Sequence, residues 1–225
     1  MKVIKIVCFS LFLLAFSCGR TVKTLAGIKD PKVESKKSVV NYLKEANINQ
    51  DTYFLSVEKV KDTMQIYKNL FFGFNSDVFL FNGNSGSKYC YKGTEECSGT
   101  QMKSAFEDFE SNYSPCTTDT LELDNFLNKL VDIKGNSLEN SSLPKAEYYV
   151  FQTWNIYSTS KKHFKEDMAW IMELKEASKQ DIVVIFVNTD LLDEWGLEKD
   201  KKLPMKFKKK AKEMTINFGT LPIEQ

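Results

Sequence analysis

Residues 147–190 hold the one pattern that leaves the fold little freedom. "EYYVFQTW" is a continuous apolar strand that ends in Trp154. "SKKHFKEDMAWIMELKEASKQ" places Phe164, Met168, Ile171 and Leu174 on one helical stripe, with lysines and glutamates between them. "DIVVIFVNTD" is apolar without a break from Ile182 to Val187, which predicts a strand covered on both faces. Strand, helix and strand in this order form a βαβ unit, two parallel strands joined by a right-handed crossover. The expected class is α/β, with a central mixed sheet flanked by helices.

Shorter elements fill the rest. "SKKSVVNYLKEAN" predicts a helix with Val39, Val40 and Leu43 at helical spacing, and "TYFLSV" a strand. "VEKVKDTMQIYKNL" puts Val57, Val60, Met64 and Tyr67 on a second helical stripe. "DVFLFN" and "SKYCYK", separated by the turn formers "GNSG", read as a hairpin. Ser98 and Gln101 make a capping box for a helix with Met102, Ala105 and Phe109 on its apolar face. "TDTLELDNFLNKLVDI" predicts a further helix that buries Leu123, Phe126, Leu127 and Leu130. Past Trp195 the chain reads as a lysine-rich helix over 204–214, with Phe207, Ala211 and Met214 at helical spacing, and a short tail.

The chain begins with Lys2 and Lys5, then an apolar run from Ile6 to Phe16. That run is too short for a stable span of ~20 residues and has the proportions of a secretory signal. Its end, "LAFSC", resembles the lipobox of bacterial lipoproteins, in which the signal is cut before a Cys that then carries lipid. The resemblance implies a signal peptide over 1–17, lipidation at Cys18 and a polar, flexible tether over 18–35. The domain would then span 36–225, or divide into two modules at 36–140 and 145–225. Loss of Lys2 and Lys5 takes the formal charge from +1 to −1. A near-neutral chain has no global reason to bind nucleic acid. No later window is apolar over ~18 residues, so the lipid is the expected membrane attachment. No acidic export run follows Cys18, which favours a periplasm-facing position in the cell envelope. The lysines near the C-terminus could rest on anionic lipid headgroups, but a solvated helix face is the simpler reading.

Signal removal and lipidation leave Cys90, Cys97 and Cys116. In an oxidising compartment three cysteines allow one bridge and one leftover thiol. A Cys90–Cys97 bridge would close a short loop, and Cys97–Cys116 would tie the two ends of the intervening helix. Cys97, just before a predicted helix start, is the candidate for a reactive thiol, although Glu95 and Glu96 oppose a low pKa there.

The segment "YYVFQTWNIYSTSKKHFKEDMAWIMEL", followed by "IVVIFVNTDLLDEWGL", resembles the first βαβ of thioredoxin-like proteins. That family has an apolar strand, a Trp, a two-cysteine turn, a helix beginning with Lys, and a second strand ending in a polar segment. Ser158 and Lys161 stand roughly where the two cysteines would be, with Tyr157 just before the first. A thioredoxin fold also needs a β-hairpin and a helix after this unit, and here that pattern comes earlier. The resemblance therefore implies a thioredoxin-like domain in permuted order, without its redox motif. Such a domain would act by binding an envelope protein or a peptide near Trp154, Tyr157, Ser158 and Lys161. A thiol–disulfide oxidoreductase or redox sensor using Cys90, Cys97 or Cys116 is the competing expectation, and an immunity-type protein a third. No cofactor or metal is expected. There is no phosphate-binding glycine loop, and one histidine with scattered cysteines gives no zinc spacing. Asp190, Asp193 and Glu194 lack the alternation of a calcium loop. His163 could activate Ser158 only with a geometry the sequence does not signal.

Overall fold

A computed structural model describes residues 27–57, 63–74, 78–92, 109–117, 121–158, 160–210 and 213–224. In chain order the first elements are β1 (Val33–Glu34), α1 (Lys36–Glu45), β2 (Thr52–Leu55), α2 (Thr63–Phe74), β3 (Val78–Asn82) and β4 (Lys88–Tyr91). Then come α3 (Phe109–Asn112), β5 (Tyr113–Pro115), α4 (Leu123–Leu127) and β6 (Leu130–Val131). The last are β7 (Tyr148–Trp154), α5 (Lys161–Ala177), β8 (Ile182–Asn188), β9 (Leu191–Leu192), β10 (Met205–Lys210) and β11 (Glu213–Phe218).

The central sheet has seven strands in the order β5-β4-β3-β7-β8-β2-β6. β7, β8 and β2 run parallel to their neighbours in that trio, while β3, β4, β5 and β6 each pair antiparallel. The sheet is mixed, with helices packed on it, as the βαβ pattern leads one to expect. β7 and β8 stand between strands drawn from the first half of the chain, so 36–140 and 145–225 share one sheet.

β7–α5–β8 forms because its residues satisfy two periods at once. Along a strand successive side chains point to opposite faces. Trp154 meets Phe164 of α5 at 4.7 Å between ring centroids, and Tyr42 of α1 packs on both. Phe151 faces the other way and meets Phe126 of α4 at 4.9 Å. The predicted stripe of Phe164, Met168, Ile171 and Leu174 is buried, and Ser160 caps the helix by accepting from the His163 N–H. The N-cap of α1 is a reciprocal box in which Ser35 and Ser38 each accept from the other's backbone N–H.

The hairpin β3–β4 turns at Asn82–Ser87, where Asn82 Oδ1 accepts from the N–H groups of Asn84 and Ser85. Gly83 is required by close approach rather than by an unusual φ. A Cβ there would clash with the Ala146 carbonyl oxygen.

Four expectations need correction. The lysine-rich segment after Pro204 is not a helix but the antiparallel hairpin β10–β11. Its apolar residues pair across the ladder, Met205 with Phe218 and Phe207 with Ile216, and the exposed Lys206 and Lys208 fall opposite Asn217 and Thr215. That period of two, with aromatic and branched cross-strand pairs, outweighs the helix preference of lysine. The hairpin docks on α2, where Tyr67 donates to the Gly219 carbonyl at 2.7 Å. The long helix over 118–133 is interrupted. α4 stops at Leu127, and Leu130 is buried in β6, opposite Leu55, where it covers the edge of β2. On α2 Ile66 and Leu70 are buried, whereas Met64 of the expected stripe is 62% exposed. Residues 29–34, assigned to the tether, carry β1, whose Val33 pairs with Leu191 and is fully buried. Val60, Cys97, the capping box of Ser98 and Gln101, Met102, Ala105, Ala211 and the whole of 1–26, including Cys18, lie outside the described residues.

Cys90 on β4 is bonded to Cys116, which directly follows β5. This is neither of the two pairings considered from sequence. β5 is an edge strand that ends in Pro115, and the disulfide fastens it to the sheet. It closes a separation of 26 residues, worth about 3.5 kcal/mol on the loop-entropy relation. Reduction should lower the urea midpoint accordingly, and the Cys90→Ser/Cys116→Ser variant should match the reduced wild type. Equal midpoints for oxidised and reduced protein would show that the bridge does not stabilise the fold.

Candidate functional site

Parallel β7 and β8 end on the same side of the sheet, with Trp154 opposite Asn188. The carboxyl ends of parallel strands are where open α/β sheets place ligands. The corner here is organised by side-chain amides. Asn155 Oδ1 accepts from the Ser158 N–H at 2.7 Å, and Asn155 Nδ2 donates to Thr189 Oγ1 at 3.3 Å. The Thr189 N–H donates to the Trp154 carbonyl.

Trp154 and Tyr157 do not form the expected binding surface. They are 4% and 2% exposed, and each sends its one polar hydrogen into the fold. Trp154 Nε1–H donates to Thr52 Oγ1 at 3.0 Å, and the Tyr157 hydroxyl donates to the Leu70 carbonyl at 3.3 Å. Aromatic rings whose polar atoms find inner partners gain more from burial than from solvent. Ser158 and Lys161 are half-buried beside them. Lys161 Nζ reaches Glu45 at 3.3 Å and lies 5.3 Å above the Tyr42 ring, which ties α5 to α1. His163 is exposed and its Nδ1 pairs with Glu166 at 2.9 Å, so the ring is engaged away from Ser158.

The residue that stands out here is Asp190, weighed from the sequence only as a calcium ligand. It is 2% exposed and lies three residues past Val187, the last residue of the apolar run in β8. The Ile156 N–H donates to both its oxygens, at 3.1 and 3.0 Å, and Asn188 Nδ2 donates to Oδ2 at 2.8 Å. Burial pushes its carboxyl up to about 7, against the opposing pull of Asn188 and the Ile156 N–H, with Glu34 adding to the rise and Lys32 reducing it. Burial, and then the nearby Asp190, also raise the hydroxyl pKa values of Tyr157 and Tyr42.

Asp190 lines a cavity of about 260 Å³ together with Ile156, Tyr157 and the segment from Lys29 to Glu34; Lys202 completes the mouth. The Lys29 N–H donates to the Tyr157 carbonyl at 2.7 Å, so this segment is fastened to the corner itself. Glu34 is buried, accepts from Ser38 Oγ at 2.7 Å and pairs with Lys32 at 3.1 Å. Lys32 also reaches Asp200 at 3.1 Å. Asp30 accepts from the Met205 N–H at 2.8 Å. A carboxylate two residues past the end of the apolar strand β8 was the one signal that could have marked the site.

Among the described residues no group of three or more His, Cys, Asp or Glu is placed to hold a metal ion. Glu194, one of the acids weighed for that role, pairs instead with Lys36 at 3.0 Å. Among the described residues no helix is long and apolar enough to cross a membrane. Comparison with protein-family models, characterised proteins and solved structures found no match to this chain.

Proposed function

We propose that the chain is a lipid-anchored protein of the bacterial cell envelope, held at Cys18 and facing the periplasm, that acts by binding rather than by thiol chemistry. Its partner is another envelope protein or a peptide. Within this reading the domain is thioredoxin-like in permuted order. β7–α5–β8 is the βαβ unit, and the hairpin β3–β4 precedes it in sequence yet lies beside β7, antiparallel.

One observation carries the choice between binding and redox. At the corner after β7, where the family would expose two thiols, the chain has Asn155 accepting from the Ser158 N–H, Asp190 accepting from the Ile156 N–H, and a Tyr157 turned inward. Cys90 and Cys116 are consumed in a disulfide at the far edge of the sheet, between the second and third strands beyond β7. Thiol–disulfide exchange needs a thiolate with a path to its substrate. The cleft of Asp190 moves the expected binding surface from the Trp154 and Tyr157 rings to the mouth beside them.

Insulin reduction tests this directly. The mature protein is expected to give the uncatalysed rate, unchanged in a variant with Cys90, Cys97 and Cys116 all replaced by Ser. Catalysis that this variant abolishes would overturn the binding reading in favour of an oxidoreductase.

A further inference from the structure

The Asp190 cleft has an arrangement that the general binding reading does not use. The buried Asp190 lines it, and so do the neighbouring residues Ile156 and Tyr157. Exposed lysines, Lys29 and Lys202, stand at the mouth. Three hydrogen bonds from the protein reach the Asp190 oxygens. An ionised carboxylate accepts about four, so capacity remains toward the cavity.

We propose that this cleft binds a primary α-ammonium group carried next to an apolar side chain, with Asp190 as its counter-ion and Lys29 and Lys202 meeting the ligand's carboxylate or carbonyl end. A free amino acid and the amino end of a short peptide share this chemistry. Binding at the cleft is the reading given above, and this inference names its ligand.

Size, charge and donor set select the ligand. Drug-sized ligands occupy pockets of roughly 300–1,000 Å³, so about 260 Å³ admits something of amino-acid size. Among the described residues no lysine forms an ion pair with Asp190. Lys32, the lysine that acts on it, is held between Glu34 and Asp200. A buried charge without a partner is costly, and a ligand cation removes that cost. A divalent ion would want six or more oxygen ligands, yet Glu34 is occupied by Lys32 and Ser38, and Asp30 by the Met205 N–H. A simple anion would meet the Asp190 carboxylate.

The proton balance follows. Below the Asp190 pKa, the carboxylic acid and R–NH₃⁺ combine to a carboxylate–ammonium pair and release one proton to solvent. Tyr42 and Tyr157 stay neutral throughout, their hydroxyls being raised, and Glu34 and Lys32 remain paired with each other.

Calorimetry on the intact chain in mild detergent, in two buffers of different ionisation enthalpy, tests this with L-leucine, Leu-Gly-Gly and N-acetyl-L-leucine. Leucine or the tripeptide is expected to bind, with close to one proton released at pH 5.5; at pH 8.5 leucine should release almost none, and the tripeptide, whose amine is largely neutral there, should take up most of one. N-acetyl-leucine should bind at least tenfold more weakly, and Asp190→Asn should lose at least tenfold for the ammonium ligand. Binding by the tripeptide and not by leucine would identify a peptide end as the source. Equal affinity for N-acetyl-leucine, binding without proton release at pH 5.5, or no binding of either ammonium probe would overturn the proposal. The acetylated probe and the proton count need no variant, so they hold even if Asp190→Asn folds poorly. Failure here with an inactive insulin assay would leave the binding reading standing, whereas cysteine-dependent insulin reduction would remove that reading and leave these ligand results unchanged.

Discussion

Replacing Asp190 by Asn should flatten the pH dependence of stability between about pH 4 and pH 7. An ordinary Asp titrates near ~3.9, whereas burial holds Asp190 at about 7 in the folded protein. Below pH 4 the group is protonated in both states. Between the two values the unfolded chain has released its proton and the folded chain still holds it. Stability then falls as pH rises, by about 1.4 kcal/mol per unit. Over roughly three units this amounts to on the order of 4 kcal/mol, lost by neutral pH and constant above it. The Asn side chain keeps an acceptor for the Ile156 N–H and has no charge to bury, so its profile lacks this component. Urea unfolding of both proteins at pH 4.5 and 7.5 measures the difference, because other titrating groups are common to the two. Parallel profiles would mean that Asp190 ionises as freely in the fold as in the unfolded chain.

Phe151→Ala should cost 3–5 kcal/mol, the range for removing a buried Phe ring from a close-packed core. Phe151 is fully buried in β7, the strand on which the sheet centres. Its ring meets Phe126 at 4.9 Å and Phe81 at 5.6 Å, both edge-on, and Phe126 in turn stacks on Phe79 and Phe81. Edge-to-face pairs add to simple burial, and α4 would be left facing the hole. In a chain of this size the loss corresponds to a Tm lower by roughly 10 °C. Ile133→Ala, at a side chain 48% exposed, is the control and should stay within ~0.5 kcal/mol of wild type. A small effect at Phe151 would show that the Phe126 face is not the tight core these ring contacts describe.

The parts of the fold written in the sequence are those that a single period dictates. The stripe of α5 and the runs of β7 and β8 each match one template over several residues, and the structure keeps them where the pattern puts them. Misreadings came where two templates fit. "MKFKKK" alternates like a strand, yet lysine favours helices, and only the facing residues of β11 decide between them. Leu130 fits a helical stripe with Leu123, Phe126 and Leu127, but the exposed edge of β2 draws it into a strand. The disulfide depended on β5, three residues ending in Pro115, too short to be seen as a strand without its partner.

The site was less legible than the fold for a related reason. Asp190 becomes unusual only when residues 29–34 fold over it, and that segment looks like a polar tether in isolation. Trp154 and Tyr157 looked like surface anchors because the sequence cannot show that Thr52 and the Leu70 carbonyl wait inside for their polar atoms.

The ionisation of Asp190 itself tests most directly whether this corner is a ligand cleft. Carbon-13 NMR of aspartate-labelled protein, with Asp190→Asn to assign the resonance, follows the carboxyl through pH 3–9. An apparent pKa near 7 in the free protein, displaced downward when leucine or Leu-Gly-Gly is added, is the expected result. A carboxyl that titrates near 4 and does not respond to either probe would contradict the assignment.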